Sequence, residues 1–227
     1  MAQLKKWVKM PSSWVEDDGL RAFRWKAGQG ADNLAALMSL AVILHHTDDA
    51  GEAVVTYDQI CDAASLSRAK VANGLSILDE RGLIERHASG RSSYSICNYD
   101  PTSGWAKFPA LPLYRHGIIT AFTDFKLRSP AELDALKLYY LFAARRDRTT
   151  NFAKISYDRI EEMTGISRTH IKRGLSTLAA NALVHIEHVP RSDSEYGVAS
   201  AYRLVHLDSY NHMGTTGRGM IAEEAPF

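Results

Sequence analysis

The sequence predicts a mainly α-helical fold with small β-hairpin wings, built as two tandem units. Three observations predict it. First, Thr56-Tyr57-Asp58-Gln59-Ile60 to Leu83-Ile84 recurs without a gap as Ser156-Tyr157-Asp158-Arg159-Ile160 to Leu183-Val184, with Tyr, Asp, Ile, Ser, Arg, Gly, Leu, Ser, Leu and Leu matching in place. An ungapped match of this density marks an internal repeat. Second, each copy follows a lead of the same form, Trp7-Val8-Lys9-Met10-Pro11 and Trp105-Ala106-Lys107-Phe108-Pro109. Third, in each copy a helical apolar stripe is followed by two β-prone runs, with Gly82 stopping the helix in the first, as a helix followed by a hairpin requires.

A chain of 227 residues holding two copies gives units of about 100 residues, each large enough to bury a core. The expected organisation is a first domain with its lead segment at 1–100, a second with its lead at 101–208, and a flexible C-terminal tail at 209–227. Apolar content of 45% and charged content of 23% are those of a soluble globular protein. The longest apolar runs are too short to cross a bilayer, and Met1 to Trp7 has no signal-peptide core, so the expected setting is cytoplasmic with no membrane partner. Cys61 and Cys97 show no CxxC spacing and read as reduced, half-buried thiols.

In chain order, the proline of each lead disfavours helix in the residue before it, so each lead is expected to be extended. Its Trp then closes a core, with a base-stacking arm as the alternative. Leu34, Leu37, Leu40, Ala41 and Leu44 predict an amphipathic helix over 34–46. At its end His45 and His46 sit where the helix dipole favours a partly charged imidazole. Asp48 to Glu52 is a turn and Val54-Val55-Thr56 a short β-prone piece. A helix follows over 57–64, then the turn Ser65-Leu66-Ser67, in which Ser67 is a good N-cap. The next helix, 68–81, buries Val71, Leu75 and Leu78 and stops at Gly82. Leu83 to His87 and Ser93 to Cys97 form a hairpin around Ala88-Ser89-Gly90-Arg91.

Asp100-Pro101-Thr102-Ser103-Gly104 is the turn-rich join between copies. A helix is expected around Ile118 to Phe125. The second copy opens at Ser129-Pro130, an N-cap followed by proline at the first helical position. Its later helix starts after Ser167 and buries Ile171, Leu175 and Leu178. The hairpin Leu183–Val189 and Ser200–Val205 has a longer tip containing Arg191. Gly74 and Gly174 lie inside the two long helices, where glycine costs about 1 kcal/mol against alanine. A cost paid twice at one place implies close helix packing, or close approach to a DNA backbone.

Helix, short strand, helix, turn, helix and hairpin is the winged-helix order, so the predicted fold is two tandem winged helix-turn-helix domains. In that arrangement the long helix enters a major groove, its start facing base edges and a phosphate. The candidate DNA-binding residues are Ser67, Arg68, Lys70, Asn73 and Arg91 in the first copy. In the second they are Ser167, Arg168, Thr169, His170, Lys172, Arg173 and Arg191. Arginine suits guanine and asparagine suits adenine. The competing interpretation is a solvated polar face on a protein-interaction module.

The copies differ in charge. Residues 34–99 hold five Lys or Arg against eight Asp or Glu, net −3, and residues 134–206 hold eleven against eight, net +3. Phosphate contact favours the second copy, leaving the first as a weaker reader, a dimerisation surface, or both. There is no GxxxxGK[ST] loop, GxSxG elbow, HExxH or CxxC pair, so no enzyme, metal or cofactor is expected.

The text Ser-Arg-x-x-(Val/Ile)-x-x-Gly-Leu-Ser-x-Leu, at 67–78 and 167–178, resembles the winged helix-turn-helix of bacterial regulators of the multiple-antibiotic-resistance and gluconate-repressor kinds. With two such units in one chain and paired leads, the whole resembles plasmid and phage replication initiator proteins. That resemblance implies double-stranded DNA as partner, a first domain that dimerises, a second that grips origin repeats, and contact with replication or transcription machinery. The end of the tail, Ala222 to Phe227, is acidic and resembles the docking tip of single-strand-binding proteins; a plain solubilising tail is the alternative.

Overall fold

The computed structural model describes residues 4–87, 92–190 and 198–207. The first half runs β1 (Trp7–Pro11), α1 (Ser13–Glu16), a 3-10 turn at Gly19–Ala22, α2 (Gly30–His45), β2 (Glu52–Val54), α3 (Tyr57–Ala64), α4 (Arg68–Glu80), β3 (Ile84–Arg86) and β4 (Ser93–Ile96). The second half runs β5 (Trp105–Pro109), a 3-10 turn at Leu111–Leu113, β6 (Tyr114–Arg115), β7 (Ile118–Ile119), a 3-10 turn at Thr120–Asp124, α5 (Pro130–Ala144), β8 (Phe152–Lys154), α6 (Tyr157–Thr164), α7 (Arg168–Ala180), β9 (Val184–Pro190) and β10 (Val198–Leu204).

Seven α-helices and four small antiparallel sheets among the described residues make the fold mixed α and β rather than mainly α. Strand content exceeds expectation for two reasons. The β-prone pieces β2 and β8 each add a third strand to a hairpin, giving the sheets β2-β4-β3 and β8-β10-β9. The two leads pair with each other, with Trp7 opposite Pro109, Lys9 opposite Lys107 and Pro11 opposite Trp105. The helix expected at 118–125 is the short strand β7 followed by a 3-10 turn.

Local chemistry explains most boundaries. Thr56 accepts from the Gln59 backbone N–H while the Gln59 side chain accepts from that of Thr56, a capping box that starts α3. Ser156 starts α6 the same way on one side, accepting from the Arg159 N–H. Ser129 accepts from the Ala131 N–H ahead of Pro130, fixing the start of α5. Ser67 accepts from the Lys70 N–H at 3.4 Å. Ser167, expected to cap α7, makes no such bond; its hydroxyl lies 3.1 Å from that of Thr169.

The central helices depart from expectation. Residues 33–44 of α2 are buried on every side, as are residues 135–143 of α5. A helix apolar all round belongs inside a core, and α2 is covered by α3, α4, α5, β1 and β2. One continuous set of buried residues, from Val8 to Leu207, runs through both repeats. Each lead reaches across to the other repeat. Trp14 meets the Tyr140 ring edge-on at 5.5 Å, and Lys137 Nζ donates to the Phe23 carbonyl. Conversely β7 packs on α3, and the Tyr114 hydroxyl lies 2.8 Å from His45 Nδ1. The expected join, residues 100–104, is a turn in which Asp100 accepts from the backbone N–H groups and hydroxyls of Thr102 and Ser103.

That crossing overturns the charged state expected of His45. The ring is fully buried, and burial, with His46 beside it, pushes its pKa down to about 3. A helix terminus contributes about 2 kcal/mol at most toward the charged form, less than burial takes away, so His45 is neutral.

Candidate nucleic-acid interface

The interface grows from how α7 is seated. Ile171, Gly174, Leu175 and Leu178 are buried against α5, the stripe expected from the spacing. A Cβ on Gly174 would meet Leu138 Cδ1 at 2.9 Å and the Asp134 carbonyl carbon at 3.3 Å. A Cβ on Gly74 would meet the Ala36 nitrogen at 2.9 Å and the Ala35 carbonyl carbon at 3.0 Å. Both glycines are therefore explained by close helix packing, α4 on α2 and α7 on α5.

With that face buried, the opposite one is fixed outward. Ser167, Arg168, Thr169, His170, Lys172 and Arg173 are all exposed, and Ser176 with them. They lie on two turns of one helix, so the structure brings the second-copy candidates together. Arg168 Nη1 donates to Asp158 on α6, with both side chains well exposed. An exposed pair of this kind is worth about 1 kcal/mol or less, so a phosphate or base edge can compete for the guanidinium. Arg91 and Arg191, the expected wing-tip contacts, lie outside the described residues, as does the tail at 209–227.

In the first repeat Ser67, Arg68 and Asn73 are exposed, and Arg68 pairs with Asp58 at 2.7 Å as Arg168 does with Asp158. Lys70 differs. Its Nζ donates to Asp32 on α2 at 2.8 Å, and the Asp32 side chain is only 17% exposed. Lys70 is held against the body of the protein rather than projecting from it. Alanines at 69 and 72 stand where the second repeat has Thr169 and Lys172.

Three basic residues not singled out from the sequence lie on the lead and α4, and one of them, Arg21, bonds to the second repeat. Arg21 Nη1 donates to the Glu162 carbonyl at 2.6 Å, and its stem lies beside Gly165, in the turn between α6 and α7. The Arg24 side chain donates to the Arg21 carbonyl. Arg81, at the end of α4, donates to the Ala22 carbonyl and to Asn33, with its guanidinium 4.0 Å from the centre of the Phe23 ring. The only local signal is the basic run Arg21, Arg24, Lys26; the contact of Arg21 with α6 depends on the lead crossing to the other repeat.

Behind α7 the electrostatics are those of a basic neighbourhood. Burial pushes Lys137 down to about 8, with Asp134 opposing and Arg24, Arg21 and Arg81 adding to the drop. Burial raises the Asp134 carboxyl, and Lys137, His170 and Arg173 pull it back. Among the described residues no group of three or more His, Cys, Asp or Glu could hold a metal ion. Cys61 and Cys97 are free thiols. No helix among the described residues is long and apolar enough to cross a membrane. No family model matches the chain, and no curated protein matches it either.

Proposed function

We propose that the chain is a sequence-specific double-stranded DNA-binding protein made of two tandem winged helix-turn-helix units, with α7 as its principal reading helix. The observation that carries this is the outward face of α7, where Arg168, Thr169, His170, Lys172 and Arg173 stand exposed together on a helix seated by a short partner helix and followed by a hairpin. An α-helix fits the major groove, where arginine pairs bidentately with guanine and each good pair discriminates by about 1–3 kcal/mol. In this reading Lys172 and Arg21, both exposed, meet phosphates, which supply affinity and salt dependence rather than sequence choice.

The setting that the resemblance implies is plasmid or phage replication initiation or its control; repression of transcription is the alternative. A winged-helix protein-interaction subunit is a second reading, favoured by the net −3 of residues 34–99. The test is selection from a randomised duplex library at two salt concentrations. Enrichment of one motif, with affinity falling steeply as salt rises, is the expected result. No enrichment and no retention at low salt would leave only the interaction subunit.

A further inference from the structure

The geometry points to a second binding site: a cleft at the C-terminal end of α5 that takes a phosphate ester of nucleotide size. It goes beyond the function proposed above and does not depend on DNA binding. α7 is seated nearer the other end of α5, where Gly174 packs on Asp134 and Leu138.

The cleft borders the outer face of the β1–β5 ribbon. Side chains alternate along a strand, so Val8, Met10, Ala106 and Phe108 are buried while Trp7, Lys9, Trp105 and Lys107 lie on the partly exposed face. The Trp7 and Trp105 rings stack at 5.9 Å and 11°, which fixes both indoles. Cations gather round them. Lys107 Nζ lies 4.6 Å from the Trp7 ring centre. Lys9 Nζ lies 5.0 Å, and the Arg148 guanidinium 5.8 Å, from that of Trp105. Lys9 is anchored there by donating to the Pro101 carbonyl at 2.6 Å.

Beside Trp105, β5, α1 and the turn after α5 bound a cleft of about 340 Å³. Small-molecule sites run from roughly 300 to 1,000 Å³. Three cations line it, Lys107, Arg146 and Arg148, against one carboxylate, that of Glu16. A helix C-terminus attracts cations by itself, and Arg145, the exposed residue that ends α5, needs no other reason. Arg146 and Arg148 differ, because they share one cleft with Lys107, a strand residue that no helix end positions. Guanidinium groups suit phosphate because they bond it bidentately. The contact of Arg148 with the Trp105 ring is exposed and therefore weak, so a phosphate competes for it. The organic body of the ligand then rests against the indole and against Ala106, Ala143 and Ala144, which are too small to fill the cleft themselves.

The turn after α2 supplies a contrast. The cleft there, of about 280 Å³, holds Lys5, Lys6 and Lys9 but also Asp48 and Asp49. Lys5 Nζ is bonded to Asp49 at 2.7 Å. Its charge is answered in large part within the chain, so the anion site belongs to the second cleft alone.

The experiment titrates the full chain with adenosine monophosphate, adenosine and inorganic phosphate, following tryptophan fluorescence and the thermal midpoint. Saturable binding of the monophosphate with a raised midpoint, weaker binding of phosphate and none of adenosine are expected. Arg148→Gln should weaken the monophosphate at least about tenfold, the loss expected when hydrogen bonds to a charged group are removed. Lys6→Gln, in the other cleft, should leave it unchanged. Both residues are exposed, so the free variants should melt with the parent protein. No binding of the monophosphate, equal affinity for adenosine or for phosphate, or unchanged affinity in Arg148→Gln would overturn the site. Binding of single-stranded oligonucleotides without the mononucleotide would overturn it in favour of a nucleic-acid surface.

Discussion

The two buried glycines show how one residue type can be needed twice for different margins. The atoms a Cβ would meet at Gly74 are backbone atoms of α2, which cannot step aside, whereas the nearest at Gly174 is the end of a leucine side chain. Overpacking costs about 1–3 kcal/mol, offset by up to about 1 kcal/mol of helix propensity. Gly74→Ala is therefore expected to destabilise by about 1–2 kcal/mol and Gly174→Ala by less, read as a drop in urea midpoint at constant slope. His45 predicts a pH effect of definite sign. Its folded pKa is lowered to about 3 from 6.5, and burial lowers His46 as well. Between those values the unfolded chain binds more protons than the folded one, so stability falls as pH drops through 6.5 toward 3. The His45 contribution approaches about 1.4 kcal/mol per pH unit, and His45→Gln should flatten the slope in that window. The glycines were legible as a repeated cost in the sequence. The state of His45 was not, because the tyrosine that meets it, Tyr114, is 69 residues away and arrives with the other repeat's lead.

At the scale of elements, α3 and α4 lie within a residue of their expected bounds and α7 starts after Ser167 as expected, because local signals define these helices: a threonine or serine at the start, a left-handed Ser65, and Gly82. The paired leads were legible as extended segments but not as partners. Strand pairing between Lys9 and Lys107, 98 residues apart, leaves no local trace. The ion pair tying α6 to α7 gives a prediction of its own. Asp158 is exposed and holds Arg168, so Asp158→Asn should change stability by less than about 1 kcal/mol. It should also release the guanidinium and remove a negative charge from the proposed DNA-facing surface. DNA affinity is then expected to rise a few-fold, measured by fluorescence anisotropy at fixed salt. An unchanged or weaker affinity would mean that the pair positions Arg168 for DNA.

For the whole molecule, the repeat was legible from matched residues, while the way the halves share one interior was not. The spacing in 34–44 resembles one apolar stripe, yet α2 needs two partners because Ala35, Ala36, Met38 and Val42 fill the remaining face. A shared core predicts one cooperative thermal transition for both repeats, with calorimetric and van't Hoff enthalpies in agreement; two resolved transitions would show that the halves melt separately. The outward faces, by contrast, have diverged, and the functional account depends on that divergence. Its most direct test is DNA affinity on one selected duplex for two double variants, Arg168→Ala with Arg173→Ala, and Arg68→Ala with Lys70→Ala. Loss of at least about tenfold in the first, on the order of one lost base-pairing contact, and a clearly smaller loss in the second is the predicted result. A larger loss from the first-repeat pair, or none from the second-repeat pair, would contradict the assignment of α7 as the principal reading helix.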